Sequence, residues 1–297
     1  MPSLGFSARV ARTTWRVVPK RALSSVIGWA AGRHIPATLR PLILERFART
    51  YGIDTAQAEK GLADYARVDD FFTRRLRPGA RTIDSAINSV VSPADGTVVE
   101  SGLVANGQLL QVKGVLFDLE ELLGDSESAN RLDGGAFLTT YLSPTDYHRV
   151  HAPVGGKILG WTHIPGLLFP VGATSVAREP GLFVRNERFV TFIDQGDAGL
   201  CAVVMVATVG VGNVTAAYDP EVETHGRSFL RAAVRRRRYD KPIAIGKGDE
   251  IGTFHMGSTT VVVFAPGRVE LEGLSPGQST QMGQSIGRLS PASSGHE

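Results

Sequence analysis

AFLTTYL, residues 136–142, runs directly into SPTDYHRVHAPVGG, residues 143–156. The first seven residues are rich in aromatic, β-branched and leucine side chains, and Pro144-Thr145-Asp146 closes them with a turn. The pair reads as strand then turn, not helix. The same texture extends in both directions from there. Short apolar runs fall at Thr97–Val99, Leu109–Val112, Lys157–Trp161, Phe189–Ile193, Cys201–Val209 and Thr259–Phe264. Turn pairs separate them: Asp95-Gly96, Asn106-Gly107, Asp133-Gly134 and Gly155-Gly156. A total of 34 glycines suits a body made of many turns. The expectation is a mostly antiparallel β barrel or sandwich over residues 86–297. The Ser/Gly-rich tail after Gly283 reads as disordered.

Residues 1–85 read differently, so the class expected is α+β. Leu23, Val26, Ile27 and Ala30 recur at helical spacing, as do Leu39, Leu42, Ile43 and Phe47. Pro41 suits a first helical turn, Asp54 is placed to cap a third helix through Gly61–Tyr65, and Asp69–Leu76 reads as a fourth. Residues 1–50 carry Arg9, Arg12, Arg16, Lys20, Arg21, Arg33, Arg40, Arg46 and Arg49 against one acid, Glu45. The net charge of +3 thus hides a basic arm on a slightly acidic body. Such an arm points to an anionic partner, and basic amphipathic helices suit a membrane surface. No apolar run reaches the ~18 residues that a spanning helix needs. Arg235–Arg238 is a second basic run, readable as a solvated loop or as a phosphate contact. The single Cys201 excludes an internal disulfide framework and a cysteine zinc site, and its apolar surroundings suggest a buried thiol.

Three short constellations carry chemistry. Ser92-Pro93-Ala94-Asp95-Gly96, taken alone, is a hairpin turn. His148 and His151 are three residues apart, which suits acid–base work, two structural histidines or, less readily, a metal pair, since no HExxH pattern is present. Gly257-Ser258 precedes the run Thr259–Phe264. A serine hydroxyl there becomes a nucleophile only if a base removes its proton. The unhindered Gly257 carbonyl is its nearest target, and attack would turn the amide into an ester. Elimination would then break the chain and leave dehydroalanine, which hydrolyses to a pyruvoyl cap.

Taken together, PADG at 93–96, LSPTDYHRVHAPVGG at 142–156, PGLLFPV at 165–171, RNER at 185–188 and GST at 257–259 resemble the bacterial-type phosphatidylserine decarboxylase proenzymes. FFTRRLRPGARTID at 71–84 is similar to the segment that ends the helical region in that family. The resemblance implies self-cleavage between Gly257 and Ser258 into a large chain, 1–257, and a small chain, 258–297. It implies that Asp95, His151 and Ser258 form the charge relay for cleavage, that Ser258 becomes the covalent pyruvoyl cofactor, and that His148 serves the decarboxylation. Phosphatidylserine would bind to the pyruvoyl group as a Schiff base, lose carbon dioxide and leave as phosphatidylethanolamine. The implied setting is peripheral, on the cytoplasmic side of the cell membrane, with no metal and no nucleic acid; a homodimer of processed protomers is compatible. Met256 stands where the family commonly has Leu, a nearly volume-conserving change. Arg149, Lys113 and Arg185 are the candidates for headgroup contact.

Overall fold

A computed structural model of the chain describes residues 30–112, 114–176, 178–208, 213–224, 233–255 and 258–290. Its strands are β1 Ser89–Val91, β2 Gly96–Leu103, β3 Gln108–Val112, β4 Val115–Asp118, β5 Gly135–Leu142, β6 Arg149–His151, β7 Gly156–Ile164 and β8 Arg188–Asp194. They continue as β9 Leu200–Ala207, β10 Asn213–Ala216, β11 Arg235–Ile245, β12 Glu250–His255, β13 Ser258–Pro266, β14 Val269–Leu271, β15 Ser279–Thr280 and β16 Ser285–Leu289. The helices are α1 Arg40–Tyr51, α2 Val68–Phe72, α3 Leu119–Leu123, α4 Ser126–Leu132, α5 Ala173–Val176 and α6 Leu182–Arg185.

One antiparallel sheet dominates, in the order β11-β7-β8-β9-β13-β5-β2-β15. Its middle is buried on both faces. Every residue of β9 is buried, and alternate side chains serve two cores, as period-two geometry requires. Cys201, Val203 and Met205 join Val262 and Phe264 on one face; Leu200, Ala202, Val204 and Val206 join Val261 and Val263 on the other. The first face is covered by two small sheets, β10-β12-β6 and β1-β16-β14, through Val150, Phe254, Val90 and Ile286. The second is covered by α3, α4, α6 and the β3–β4 hairpin, through Leu119, Leu122, Leu132, Phe183 and Phe117. The fold is therefore sandwich-like on one side and helix-covered on the other.

The antiparallel β body and the strand runs agree with the sequence. A closed barrel does not form, because β11 and β15 are the two ends of an open sheet. The tail after Gly283 also differs from expectation. Ser285–Leu289 is ordered as β16, pairs with both β1 and β14, and buries Ile286 in the core. Arg235–Arg238 is part of edge strand β11 and not a loop. Its cations are already engaged: Arg237 with Glu221 at 2.7 Å and Asp219 at 3.3 Å, Arg238 with Asp125 at 3.5 Å, and Arg236 with the Gly124 carbonyl at 2.6 Å.

The N-terminal region is less helical than its pattern suggests. Its first apolar stripe, apart from Ala30, falls outside the described residues. α1 has Pro41 in its first turn and ends on Gly52, whose φ of 71° is the left-handed cap that glycine adopts without penalty. Leu44 and Ala48 pack with Ile35, Ile53, Tyr65 and Phe71 into a small separate core. Asp54 caps only a 3-10 turn, Thr55–Gln57, and a second such turn at Leu62–Asp64 replaces the expected third helix. The fourth is the short α2. Leu39, Leu42 and Ile43 remain exposed on the outside of α1, next to Arg46 and Arg49. Among the described residues, no helix is long and apolar enough to cross a membrane.

Candidate active site

Ser258 is the first residue of β13 and pairs with Leu142 on β5 and Ala207 on β9. It is completely buried. Val261, Val262, Val263 and Phe264, all fully buried further along the strand, fix its position; such side chains contribute about 1.5–3 kcal/mol each. Because side chains alternate, Ser258 shares a face with Thr260, Val262 and Phe264, the face covered by β6 and β12. The turn that follows β5 and leads into β6 brings both histidines to that layer. Met256 and Gly257 lie outside the described residues, so the target carbonyl is not placed.

His148 is fully buried, with its ring stacked on Phe72 at 4.0 Å between centroids. Its Nε2–H donates to the Ser143 carbonyl at 3.0 Å. A carbonyl can only accept, so Nδ1 carries the lone pair, and it faces the Ser258 hydroxyl at a long 3.4 Å. Burial, reinforced by the positive charge of Arg74, depresses the His148 pKa from 6.5 to about 3, outweighing the Ser143 carbonyl, which favours the cation. The ring is thus neutral at physiological pH, the form that can accept a proton. A stability consequence follows. Since the unfolded chain takes up this proton near pH 6.5 and the folded chain does not, stability falls as pH is lowered from 6.5 towards 3. His148→Gln should flatten that part of the melting temperature against pH; an unchanged acid limb would refute the depressed value.

His151 points elsewhere. Its Nδ1–H donates to the Gly248 carbonyl at 2.7 Å, and its Nε2 accepts from the Tyr147 hydroxyl at 3.4 Å. Burial lowers its pKa as well, against the favourable pull of the Gly248 carbonyl. Asp95 is not its hydrogen-bond partner. The Asp95 carboxylate receives a two-pronged contact from Arg81, with Nε at 2.8 Å from Oδ1 and Nη2 on Oδ2, and the Met282 amide at 2.9 Å from Oδ1. Asp95 and His151 are nevertheless adjacent in the fold, because the His151 amide donates to the Pro93 carbonyl at 2.7 Å. The Asp95-Gly96 pair is therefore not a hairpin turn. Gly96 begins β2, where a Cβ would lie 2.3 Å from the Tyr141 carbonyl oxygen.

Of the four expected residues, the structure joins Ser258 to His148 and leaves Asp95 and His151 as separate neighbours. Arg81 was not among the expected site residues, and no local pattern marks it. The RNER segment explains itself structurally. The Asn186 side chain bonds both the amide and the carbonyl of Phe169 at 2.9 Å and the Ala207 carbonyl at 3.0 Å, which ties the PGLLFPV loop to the residue beside Ser258. Arg188 is buried and donates to the carbonyls of Leu122, Val184, Asn186 and Glu121. Two of the headgroup candidates are occupied: Arg149 by Glu250 at 2.7 Å and the Thr73 carbonyl at 2.9 Å, Arg185 by Glu179 at 3.5 Å and the Phe169 ring. Lys113 is outside the described residues. Among the described residues, no group of three or more His, Cys, Asp or Glu is arranged to hold a metal. Cys201 is buried, as its surroundings suggest.

The residues fit a carbonyl-bearing group at position 258. The hydroxyls of Thr260, one step along the same face, and of Thr140, opposite it on β5, are buried without a hydrogen-bond partner. The profile of the family described as phosphatidylserine decarboxylase matches residues 68–288. A protein of Anaeromyxobacter sp. named phosphatidylserine decarboxylase proenzyme is 43% identical over 273 residues, covering 92% of this chain and 95% of its own. Proteins of the same name from Myxococcus xanthus and Saccharophagus degradans are 44% and 38% identical, covering 86% and 92% of this chain and 89% and 95% of their own.

Proposed function

The chain belongs to the phosphatidylserine decarboxylase family, and we propose that it cuts itself between Gly257 and Ser258 and then converts phosphatidylserine to phosphatidylethanolamine and carbon dioxide. The observation that carries this reading is Ser258 itself: a buried serine, fixed at the head of a central strand, with the lone pair of a neutral imidazole facing its hydroxyl. For cleavage, the Ser258 oxygen attacks the Gly257 carbonyl carbon and the peptide nitrogen becomes the free amine of an ester. Loss of a proton from the Ser258 Cα then expels the Gly257 carboxylate and leaves dehydroalanine, which takes up water and releases ammonia to give the pyruvoyl group. We assign the base for the attack to His151, with Asp95 supporting it, on the strength of the family resemblance.

The pyruvoyl group supplies a ketone that combines with the amine of the substrate and accepts the electrons released with carbon dioxide. The chain's own part is to hold that group between β5 and β9 and to present His148 to it. His148 Nδ1, next to the side chain of residue 258, carries a lone pair and is placed to take up a proton shed by the substrate amine and return it to the reacting carbon. Carbon dioxide release from phosphatidylserine vesicles, together with hydrazide labelling of the small chain, tests the reading. Release without a labelled keto group would remove the pyruvoyl group from the chemistry.

The proposed division is a membrane-associating region, 1–85, and a catalytic body, 86–297, working at the cytoplasmic face of the membrane. Exposed Leu39, Leu42 and Ile43 beside Arg46 and Arg49 support it. Each basic residue near an anionic surface contributes about 1 kcal/mol. Binding to anionic vesicles should weaken with added salt but persist, because apolar burial is not screened. Deleting residues 1–50 should abolish sedimentation with vesicles and leave self-cleavage intact. A truncated protein that still sediments would move the membrane contact to another surface.

A further inference from the structure

The Asp95 carboxylate is buried in the wall of the site, yet neither of its oxygens touches a histidine. Arg81 claims it from outside the β body. The guanidinium is itself largely buried and uses Nε and Nη2 on the carboxylate as a fork. Its remaining nitrogen, Nη1, donates to Gln57 Oε1 at 2.8 Å and to the Ala80 carbonyl at 2.6 Å. The opposite side of Asp95 Oδ1 is taken by the Met282 amide, which lies beyond the proposed cleavage point. Three stretches of chain therefore meet here: the Pro78–Arg81 linker, held in turn by Gln57, the start of β2, and the C-terminal segment that becomes the small chain.

The donor count limits what Asp95 can do. Both oxygens already accept: Oδ1 from Arg81 Nε at 2.8 Å and the Met282 amide at 2.9 Å, Oδ2 from Arg81 Nη2 and, more weakly, from Arg81 Nε at 3.1 Å. The fork fixes the plane of the carboxylate, since Arg presents two parallel N–H groups in a rigid frame.

We infer that Arg81 is a positioning residue for self-cleavage: it holds Asp95 oriented through a two-pronged contact, and it anchors that contact to the N-terminal region through Gln57. The inference rests on the reading that Asp95 serves cleavage. It also explains how the Pro78–Arg81 linker, distant in sequence from Ser258, reaches the site.

The test measures conversion of full-length chain to two chains, by denaturing mass spectrometry, in four variants compared at equal melting temperature. Asp95→Ala should accumulate precursor. Arg81→Ala should slow conversion by roughly 10²-fold, the scale of a lost acid–base contribution. Arg81→Lys should recover part of the rate, because it restores the charge but not the fork. Guanidinium at a sub-denaturing concentration should accelerate Arg81→Ala, methylammonium should do so less, and neither should help Asp95→Ala. Gln57→Ala, which keeps the ion pair, should cost far less than Arg81→Ala. If Asp95→Ala stalls while Arg81→Ala converts at the normal rate, the inference fails and the role of Asp95 survives. If Arg81→Ala stalls but neither lysine nor guanidinium restores any rate, Arg81 is only a structural brace and the inference fails. Normal conversion of Asp95→Ala would instead overturn the reading beneath it.

Discussion

Ser258→Ala should remain a single full-length chain, with no small chain and no keto group. The expected loss is complete, because the substitution removes the one atom able to convert the Gly257 amide into an ester. No neighbouring group replaces it. Thr260 lies on the same face but two residues further along a strand whose position is fixed by pairing on both sides. Thr259 points to the opposite face, because side chains alternate along the strand. The substitution should also leave the fold intact, since it deletes one buried hydroxyl whose one hydrogen bond among the described residues is a 3.4 Å approach to His148. Removing a hydrogen bond of that quality is a small change in stability, about 1 kcal/mol or less. Melting temperature and intact mass therefore separate the two roles: the fold should hold while the chemistry disappears. Two fragments from a well-folded Ser258→Ala would show that an external protease, not this serine, cuts the chain.

Local pattern and tertiary geometry divide the rest unevenly. Strands such as β5, β8, β9 and β13 were legible because they alternate or run apolar over five or more residues between turn residues. β11 was not, because an Arg run on an edge strand has no apolar period; its partners Asp219, Glu221 and Asp125 come from remote segments. β16 was masked by its Ser/Gly-rich neighbours, although Ile286 buries itself against β1 and β14. The N-terminal region is less helical than its spacing implies: α1 has the spacing, Pro41 in its first turn and the Gly52 C-cap, but the 3-10 turns after it carry too few residues to continue a helix. In the site, Ser258 and the two histidines stood out by their chemistry and by resemblance. Which histidine touches the serine was not legible. Three-residue spacing would place both on one side of a helical turn, whereas here His151 ends a strand and His148 lies in the turn before it. The Arg81–Asp95 pair depends on chain crossings that no spacing rule reports.

The two histidines should therefore separate by substitution. His148→Ala should still be cut, and decarboxylation should fall by about 10²–10⁴-fold, the usual worth of a positioned proton donor or acceptor. His151→Ala should stay uncut and for that reason be inactive. Within the first expectation, the loss of decarboxylation follows from place and charge state, and the retained cutting from the family resemblance. His148 is neutral, its Nδ1 faces residue 258, and after cleavage that residue is the reacting centre. The second follows from the family resemblance and from the orientation of His151, whose Nδ1–H is held by Gly248 so that Nε2 is the basic atom. To reach Ser258, that atom must exchange its weak 3.4 Å contact with Tyr147 for the serine hydroxyl. A contact of that length is readily given up. The opposite pairing has a clear signature. Because His148 is the histidine already touching Ser258, an uncut His148→Ala beside a normally cut His151→Ala would make His148 the base for cleavage and reverse the two roles. His148→Ala also removes the ring stacked on Phe72, so the comparison belongs with His148→Gln, which keeps more of the volume against that ring. Cutting in both His148 variants, with carbon dioxide release lost in both, is the result that the roles implied by the family resemblance predict.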